Sequence, residues 1–345
     1  MKIVSRNCRG LGNRPAVHSL LDLRKKEDPD ILFLCETKLD EKRMEKFRYM
    51  LEMPHMIVKD SDGQGGGLAL FWKRDIVVTL RWKGRMHIDV IIKEKDGFKW
   101  RLTGIYGEPR SEHRENTWKL LRTLHLQEQL PWLCVGDFNE ILYNHEKQGG
   151  VPRPQRCLDA FRDALNFCNL NDLGFEGDVF TWRNNNFRVD GYIREHLDRV
   201  VANPSWRSRF PGYKIVNGDP GHSDHRPVVV YVHGTVNRRR HGNFTENRRF
   251  EAKWLLEDEC ETVVNSAWEN ACNRGETKVM GLLKSVSREL HDWDREVVGD
   301  LKKRIKNLKN DLEVCRNQGL TQQNIDREQV LRFKLECLEE QHDLF

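Results

Sequence analysis

Four groups of polar residues stand directly beside short apolar runs. Glu36 follows ILFLC, Asp137 and Asn139 follow WLCVG, Ser223, Asp224 and His225 precede VVVYV, and Asn7 follows the first short strand. In layered α/β proteins strand ends are where sites are built, because a rigid strand fixes the side chain that the next loop presents. Together these residue types suit hydrolysis of a phosphodiester. Near neutral pH that reaction needs neutralised phosphoryl oxygens, an activated water and help for the departing alkoxide. Carboxylates and amides are the hard oxygen ligands that Mg²⁺ prefers, and a histidine is a natural charge partner for phosphate. Each residue alone has a plainer use: a glutamate at a strand end is commonly solvated, and an Asp-His pair commonly satisfies a turn. Their combination is what points to chemistry.

Several short runs, most rich in β-branched or aromatic residues, must position these groups. Ile31 to Cys35, Gly67 to Trp72, Ile76 to Leu80, Ile88 to Ile92, Trp100 to Tyr106, Trp132 to Gly136 and Val228 to Val232 read as buried strands. Pro15 to Lys26, Glu41 to Met50, Glu115 to Leu126 and Arg156 to Cys168 have the spacing of surface helices. Strands interleaved with helices, and also adjacent to one another, predict an α/β sandwich with mixed sheets. The glycine-rich DGQGGGLAL lacks the GxxxxGK[ST] pattern and runs into a strand, so it reads as a tight turn and not a nucleotide loop. Trp72, Trp82, Trp100, Trp118, Trp132 and Trp182 could stack on bases, but most lie in apolar contexts that assign them to the core.

The texture changes near Gly234. NRRRHGNFTENRRF reads as an exposed basic linker, with a nuclear-import or RNA-contacting segment as the sharper alternative. Phe250 to Phe345 lacks proline and is rich in Glu, Lys, Leu and Arg. Val298, Leu301, Ile305, Leu308, Leu312 and Cys315 alternate spacings of three and four, a short coiled-coil-like seam. Gly319 ends that helix, Thr321 caps the next, and Val330, Phe333 and Cys337 continue an apolar face, which predicts a helical hairpin. The organisation expected is a domain over residues 1–232, a basic linker over 233–249 and a helical segment over 250–345.

Composition sets the class. Charged residues make up 32% and mean hydropathy is −0.72, as expected of a well-wetted surface, and no apolar stretch is long enough to cross a bilayer or to serve as a signal peptide. The nine cysteines form no CxxC pair, so neither a disulfide framework nor a zinc finger is supported. An intracellular protein, nuclear or cytoplasmic and not secreted, is expected, without a membrane partner. Residues 1–233 carry 38 Lys and Arg against 32 Asp and Glu, and residues 234–345 carry 20 against 21. The first part therefore has a modest positive field that suits a polyanion, although such an excess is common elsewhere.

Six pieces in order, Asn7 in RNCRGLG, Glu36 in LCETKL, Tyr106 in GIYGEP, GDFNE at 136–140, LDR at 197–199 and SDHRP at 223–227, resemble the endonuclease/exonuclease/phosphatase superfamily. NCRGLGN, DLGFEGDVFTWRNN, REHLDRVVANPSWRSRFP and the tail from RRFEAKW are most similar to the endonuclease of plant LINE-type (non-LTR) retrotransposons. The resemblance covers nearly all of residues 1–232 and implies a DNase-like, four-layer α/β sandwich of two mixed β-sheets packed face to face, followed by the helical tail. It implies a metal-dependent nuclease that nicks DNA, with Mg²⁺ or Mn²⁺ as cofactor.

By that resemblance Glu36 would be the principal metal ligand, assisted by Asn7 and Asp224. Asp137 would activate or orient the attacking water, and Asn139 would hold the water or the phosphate. Tyr106, His225 and Thr181 would contact the phosphate, with Asp198 orienting His225. Arg6 stands where relatives usually have a tryptophan, predicting looser packing behind Asn7. Arg9 stands where some repair enzymes have an acidic metal-binding residue, predicting a less acidic site. Two alternatives stay open: a phosphatase or phosphodiesterase acting on another phosphate ester, and a catalytically silent element-derived fragment whose helical tail self-associates or binds a protein partner.

Overall fold

A computed structural model describes residues 1–63, 65–221, 223–234 and 259–344. Most of the basic linker and the start of the expected helical segment lie outside these described residues. The chain divides into two compact units, Met1–Val236 and Asn237–Phe345.

Fifteen strands are described in the first unit. They are β1 (Lys2–Asn7), β2 (Ile31–Cys35), β3 (His55–Asp62), β4 (Gly65–Trp72), β5 (Val77–Gly84), β6 (His87–Lys93), β7 (Lys99–Tyr106) and β8 (Trp132–Asp137), followed by β9 (Lys147–Gln148), β10 (Asn171–Asp172), β11 (Trp182–Arg183), β12 (Arg194–Glu195), β13 (Asp198–Ala202), β14 (Lys214–Asn217) and β15 (Val228–Tyr231). Five helices accompany them: α1 (Arg14–Glu27), α2 (Glu41–Met50), α3 (Glu115–Gln127), α4 (Gln155–Phe167) and α5 (Pro204–Arg209). One six-stranded sheet runs β14-β15-β1-β2-β4-β3, a second runs β10-β13-β8-β7-β6-β5, and β11-β12-β9 form a small third. Both large sheets are mixed, with parallel pairs β1/β2 and β7/β8 at their centres.

Side-chain alternation explains the layers. In β2, Ile31, Phe33 and Cys35 face the other large sheet, where they join Val90, Leu102 and Val135 in the central core. Leu32 and Leu34 point the opposite way and pack with Leu20 of α1 and Phe47 of α2. The second sheet mirrors this, covering its outer face with Trp118 and Leu121 of α3 and Phe161 of α4. The result is helix, sheet, sheet, helix. The two sheets close tightly because Gly104 of β7 leaves room for the Phe33 ring; a Cβ there would lie 2.3 Å from the ring.

Helix starts follow their caps. Asn13 and Asp40 accept backbone N–H bonds from Ala16 and Arg43 at the starts of α1 and α2. Asn203 does more: its Oδ1 accepts from Trp206 N of α5 at 3.0 Å and from Trp132 N of β8 at 2.9 Å, and its Nδ2 donates to Leu130 O at 2.9 Å. Asn203→Ala should therefore cost about 2 kcal/mol, the upper end for losing a cap; an unchanged urea midpoint would refute this.

Besides the two-residue strands β9 to β12, three strands escape the sequence reading. β3 and β14 are edge strands with many charged or polar residues, and β13 begins with the charged pair Asp198 and Arg199. Asn7 is the last residue of β1 and does not follow the strand.

Among the described residues the second unit contains α6 (Glu259–Asn273), α7 (Val279–Arg316) and α8 (Gln322–Leu344), one helix more than a hairpin. Cys260 and Ala267 of α6 pack on Val286 and Leu290 of α7. α8 runs back along α7, joined by ion pairs Arg316–Glu328 at 3.1 Å and Lys309–Glu339 at 2.7 Å. Thr321 Oγ1 accepts the Asn324 N–H at the start of α8. Val330, Phe333 and Cys337 are exposed, contrary to the apolar face expected of them. The buried stripe instead holds Ile325, Glu328, Leu335 and Leu338. Glu328 belongs to it because Arg316 pairs with its carboxylate, which a hydrophobicity pattern does not register. Among the described residues, no helix is long and apolar enough to cross a membrane.

Candidate active site

Strand register brings the distant acids together. Tyr106 at the end of β7, Asp137 at the end of β8 and Asp198 at the start of β13 are aligned neighbours in one sheet. Asn7 and Cys35 are aligned in the other, so Glu36 leaves β2 beside Asn7. Asp224 and His225 sit between β14 and β15, and His225 forms an isolated bridge with Trp182.

Hydrogen bonds then join the two sheets. Asn7 Nδ2 donates to Asp137 Oδ2 at 2.9 Å, and His225 Nδ1 lies 2.8 Å from Asp198 Oδ2. His225 Nε2 is 3.9 Å from Asp137 Oδ2. All four residues are buried. Ser223 holds the loop in place: its hydroxyl donates to Asn7 O at 3.0 Å and accepts from His225 N at 3.1 Å. Tyr106 OH donates to Glu36 Oε1 at 2.6 Å. Asn139 N donates to Asp137 Oδ1 at 2.8 Å, and its side-chain amide donates to Gly107 O.

Thr181 is nearly fully buried, and its hydroxyl accepts the backbone N–H groups of Leu197 and Asp198, both at 2.9 Å. Its visible work is to fix the carboxylate behind His225.

These contacts set the protonation states. Burial pushes the Asp137 carboxyl up, and the neighbouring Asp198 charge adds to this, to about 7. Burial alone would lower the His225 imidazolium, but Asp198 and then Asp137 outweigh it and raise the group to about 10. The groups share one field and titrate as a set. Burial and then Glu36 raise the Tyr106 phenol well above its ordinary range, so it remains a donor.

Arg9, Glu36, Asn139, Trp182, Asp224 and His225 line a cleft of about 400 Å³. Arg9, Glu36 and Asn139 all have left-handed backbone, with φ of 51°, 51° and 55°. Such geometry is uncommon outside glycine and gathers where structure holds a side chain for use.

A cation would find two kinds of donor here. Asp137, Asp198 and His225 place one ligand atom each within 4.8 Å of one another. A histidine that keeps its proton is a poor ligand, however, which suits this trio to proton and phosphate handling. Asp224 Oδ1 is buried and lacks a hydrogen-bond partner among the described residues, and it shares the cleft with Glu36. A buried carboxylate oxygen left unpaired is costly unless a cation or water meets it, so the donor set fits a hard divalent ion. Asn7 Oδ1 accepts from Arg9 N at 3.0 Å.

Two expectations need correction. Arg6 does not loosen the packing behind Asn7: it is buried and donates to Ser19 O, Ser19 Oγ and Pro220 O at 3.0, 2.8 and 3.2 Å. Of the tryptophans assigned to the core, Trp182 packs on Ile141, Leu158 and Leu197 but is only half-buried and forms part of the cleft wall, where its indole Nε1 donates to Asp224 Oδ2 at 3.0 Å, and Trp82 of β5 is exposed.

The sequence reading also missed one wall of the cleft. There Arg114 and Arg153 pair with Glu140, and Arg153 and Lys147 pair with Glu195. The signal was the Gly149-Gly150 turn after Lys147. Gly149 has φ 80°, and a Cβ on it would lie 1.9 Å from Tyr192 O, so only glycine brings this loop so close.

No curated protein sequence matches the chain. Solved structures with a similar fold include the AP endonuclease LMAP from Leishmania major, with 14% identity, a TM-score of 0.53, and coverage of 66% of this chain and 86% of that one. The endonuclease domain of TRAS1, a telomere-specific non-LTR retrotransposon, has 16% identity, a TM-score of 0.50 and coverage of 66% and 96%. The 3′ phosphatase NExo from Neisseria, bound to product DNA hairpin, has 18% identity, a TM-score of 0.50 and coverage of 67% and 98%. At these identities the likeness is one of fold. The sequence pattern of the Endonuclease/Exonuclease/phosphatase family matches residues 5–225, a stretch that takes in all four strand-end groups and closes on His225. By that match the chain belongs to the endonuclease/exonuclease/phosphatase family.

Proposed function

We propose that this protein is a divalent-cation-dependent phosphodiesterase that nicks one strand of DNA. The observation that carries the reading is the continuous Asn7–Asp137–His225–Asp198 set at a cleft that also holds Glu36 and the unpaired Asp224 oxygen. Asp137, with its proton affinity lifted to near neutrality, takes the proton from the attacking water. His225, kept cationic by Asp198, donates to a phosphoryl oxygen as charge builds there. Asn7 holds Asp137 in place, and Thr181 holds Asp198. Asn139 gives the phosphate the amide N–H that it does not spend on Gly107 O, and Tyr106, whose single O–H rests on Glu36 Oε1, would give a second neutral donor once a cation takes that carboxylate. A cation held by Glu36 and Asp224 would supply charge neutralisation for the phosphate and the leaving oxygen. Magnesium is the proposed ion because the donors are hard oxygens, with manganese as a substitute.

DNA is the proposed substrate on the strength of the family and of the nucleases that share the fold. The likeness to a non-LTR retrotransposon endonuclease domain supports a finer proposal, that the nick leaves a 3′ hydroxyl able to prime synthesis. Purified protein with supercoiled plasmid and Mg²⁺ should yield open circles, EDTA should stop the reaction, and a polymerase should extend the nicks without prior end repair. Intact plasmid under all conditions would sink the nicking reading. Phosphate release from small phosphate esters by the same preparation would then favour another substrate of the family.

A further inference from the structure

Arg9 does something in the cleft that the proposed chemistry does not use. Its Nη1 lies 2.7 Å from Asp224 Oδ2, the same oxygen that accepts from Trp182 Nε1. Asp224 thus has one oxygen doubly satisfied and the other, Oδ1, buried and unpaired. The pair is lopsided: the Asp224 side chain is 8% exposed and that of Arg9 53% exposed. Arg9 is also anchored at its backbone, with φ 51° and its N–H on Asn7 Oδ1, while Gly10 N donates to Glu36 O at 2.7 Å. The turn that carries Arg9 is therefore fastened to the residues that flank Asp224 in the cleft, and only its long side chain is free to move.

We propose that Arg9 is a built-in counterion of Asp224 that competes with the divalent cation and lowers the cleft's affinity for it. The inference rests on the cation reading above. A guanidinium beside Asp224 acts on a bound cation in two ways. It cancels the carboxylate charge that would attract the ion, and it adds a like charge a few ångströms from the seat at Oδ1. Neither effect needs a change in the ligand set. Because Arg9 is half in solvent and Asp224 is not, the arginine is the partner that gives way when a cation arrives, and its displacement is a penalty added to every binding event. Removing the positive charge removes that penalty. The same reasoning makes Arg9 a positioning residue: it acts through Asp224 and not on the reacting atoms.

Arg9→Gln keeps a hydrogen-bonding side chain and deletes the charge, and because the Arg9 side chain is half exposed, both it and Arg9→Ala should fold, as circular dichroism would check. Mn²⁺ binding, followed through the spectroscopic signal of the free ion, gives a readout independent of activity. Both variants should bind Mn²⁺ about tenfold more tightly than the wild type, a coupling of ordinary size between two charged ligands of one group. Arg9→Lys, which keeps the charge, should stay near the wild-type affinity. In an Asp224→Asn background the Arg9→Gln change should have little further effect, since the partner through which Arg9 acts is gone. Equal affinities for wild type and Arg9→Gln would overturn the proposal and leave the cation reading standing. An undiminished gain in the Asp224→Asn background would also overturn it, by showing a general field in place of a pair. Absence of Mn²⁺ binding by every protein would remove the cation reading and this inference with it.

Discussion

His225→Ala should slow plasmid nicking by about a hundred- to a thousandfold, the loss expected when a charged donor to a developing oxyanion is removed. The same change leaves Asp137 and Asp198 as buried carboxylates with no cation between them. Loss of the imidazolium that lowers Asp137 lets burial and the Asp198 charge raise that carboxyl further, so the stability of the variant is greatest below the unfolded carboxylate pKa and is lost as pH rises through the folded pKa of Asp137. Its urea midpoint should be higher at pH 5 than at pH 8. In the wild type the folded pKa of His225 is raised to about 10, so its contribution to stability is fully present below the unfolded imidazole pKa and fades as pH climbs towards 10.

The nicking rate should be bell-shaped in pH. The acid limb lies near 7, where Asp137 gives up its proton, and the alkaline limb near 10, where His225 does. Asp198→Asn removes the largest influence raising His225 and also relieves Asp137, so both limbs should move to lower pH. A profile whose limbs stay in place would show that these two groups are not the acid and base.

The second large effect is on stability. Asp89 is fully buried in β6 and accepts from Arg101 Nε at 2.7 Å and Nη2 at 3.0 Å, from Arg81 Nη1 at 2.7 Å and from Thr103 Oγ1 at 2.7 Å. Arg101, also buried, lies over the Trp132 ring and donates to Leu124 O of α3. Asp89→Ala would strand that guanidinium inside the protein, and breaking one side of a buried ion pair costs about 3 to 5 kcal/mol. Chemical denaturation should show a loss of this size. Asp89→Leu combined with Arg101→Met should recover much of it, because the buried charge is then gone altogether. A double variant no better than Asp89→Ala would mean that the network holds β6 and β7 in register by more than charge pairing.

Much of the site was legible because strand ends announce themselves. ILFLC before Glu36 and WLCVG before Asp137 are continuous apolar runs, the mark of strands buried on both faces, and the recurrence of polar residues at the ends of several such runs, not any one of them, marks a site. The layered fold followed from the same runs. Register did not, since the pairing that puts Tyr106, Asp137 and Asp198 side by side depends on contacts between segments far apart in the chain. Edge strands such as β3 carry charges because one of their sides meets water, which erases the apolar signal. Arg6 and Trp182 were misread for a related reason: a buried arginine with three acceptors and an indole bonded to a carboxylate are defined by partners, which residue type alone does not disclose.

The left-handed turns at Arg9, Glu36 and Asn139 also set how this protein can change over generations. Glycine would relax the chain at each of the three, so selection for heat tolerance alone would be drawn to those codons. A lineage that accepted the change would become sturdier while shedding the groups that face the cleft.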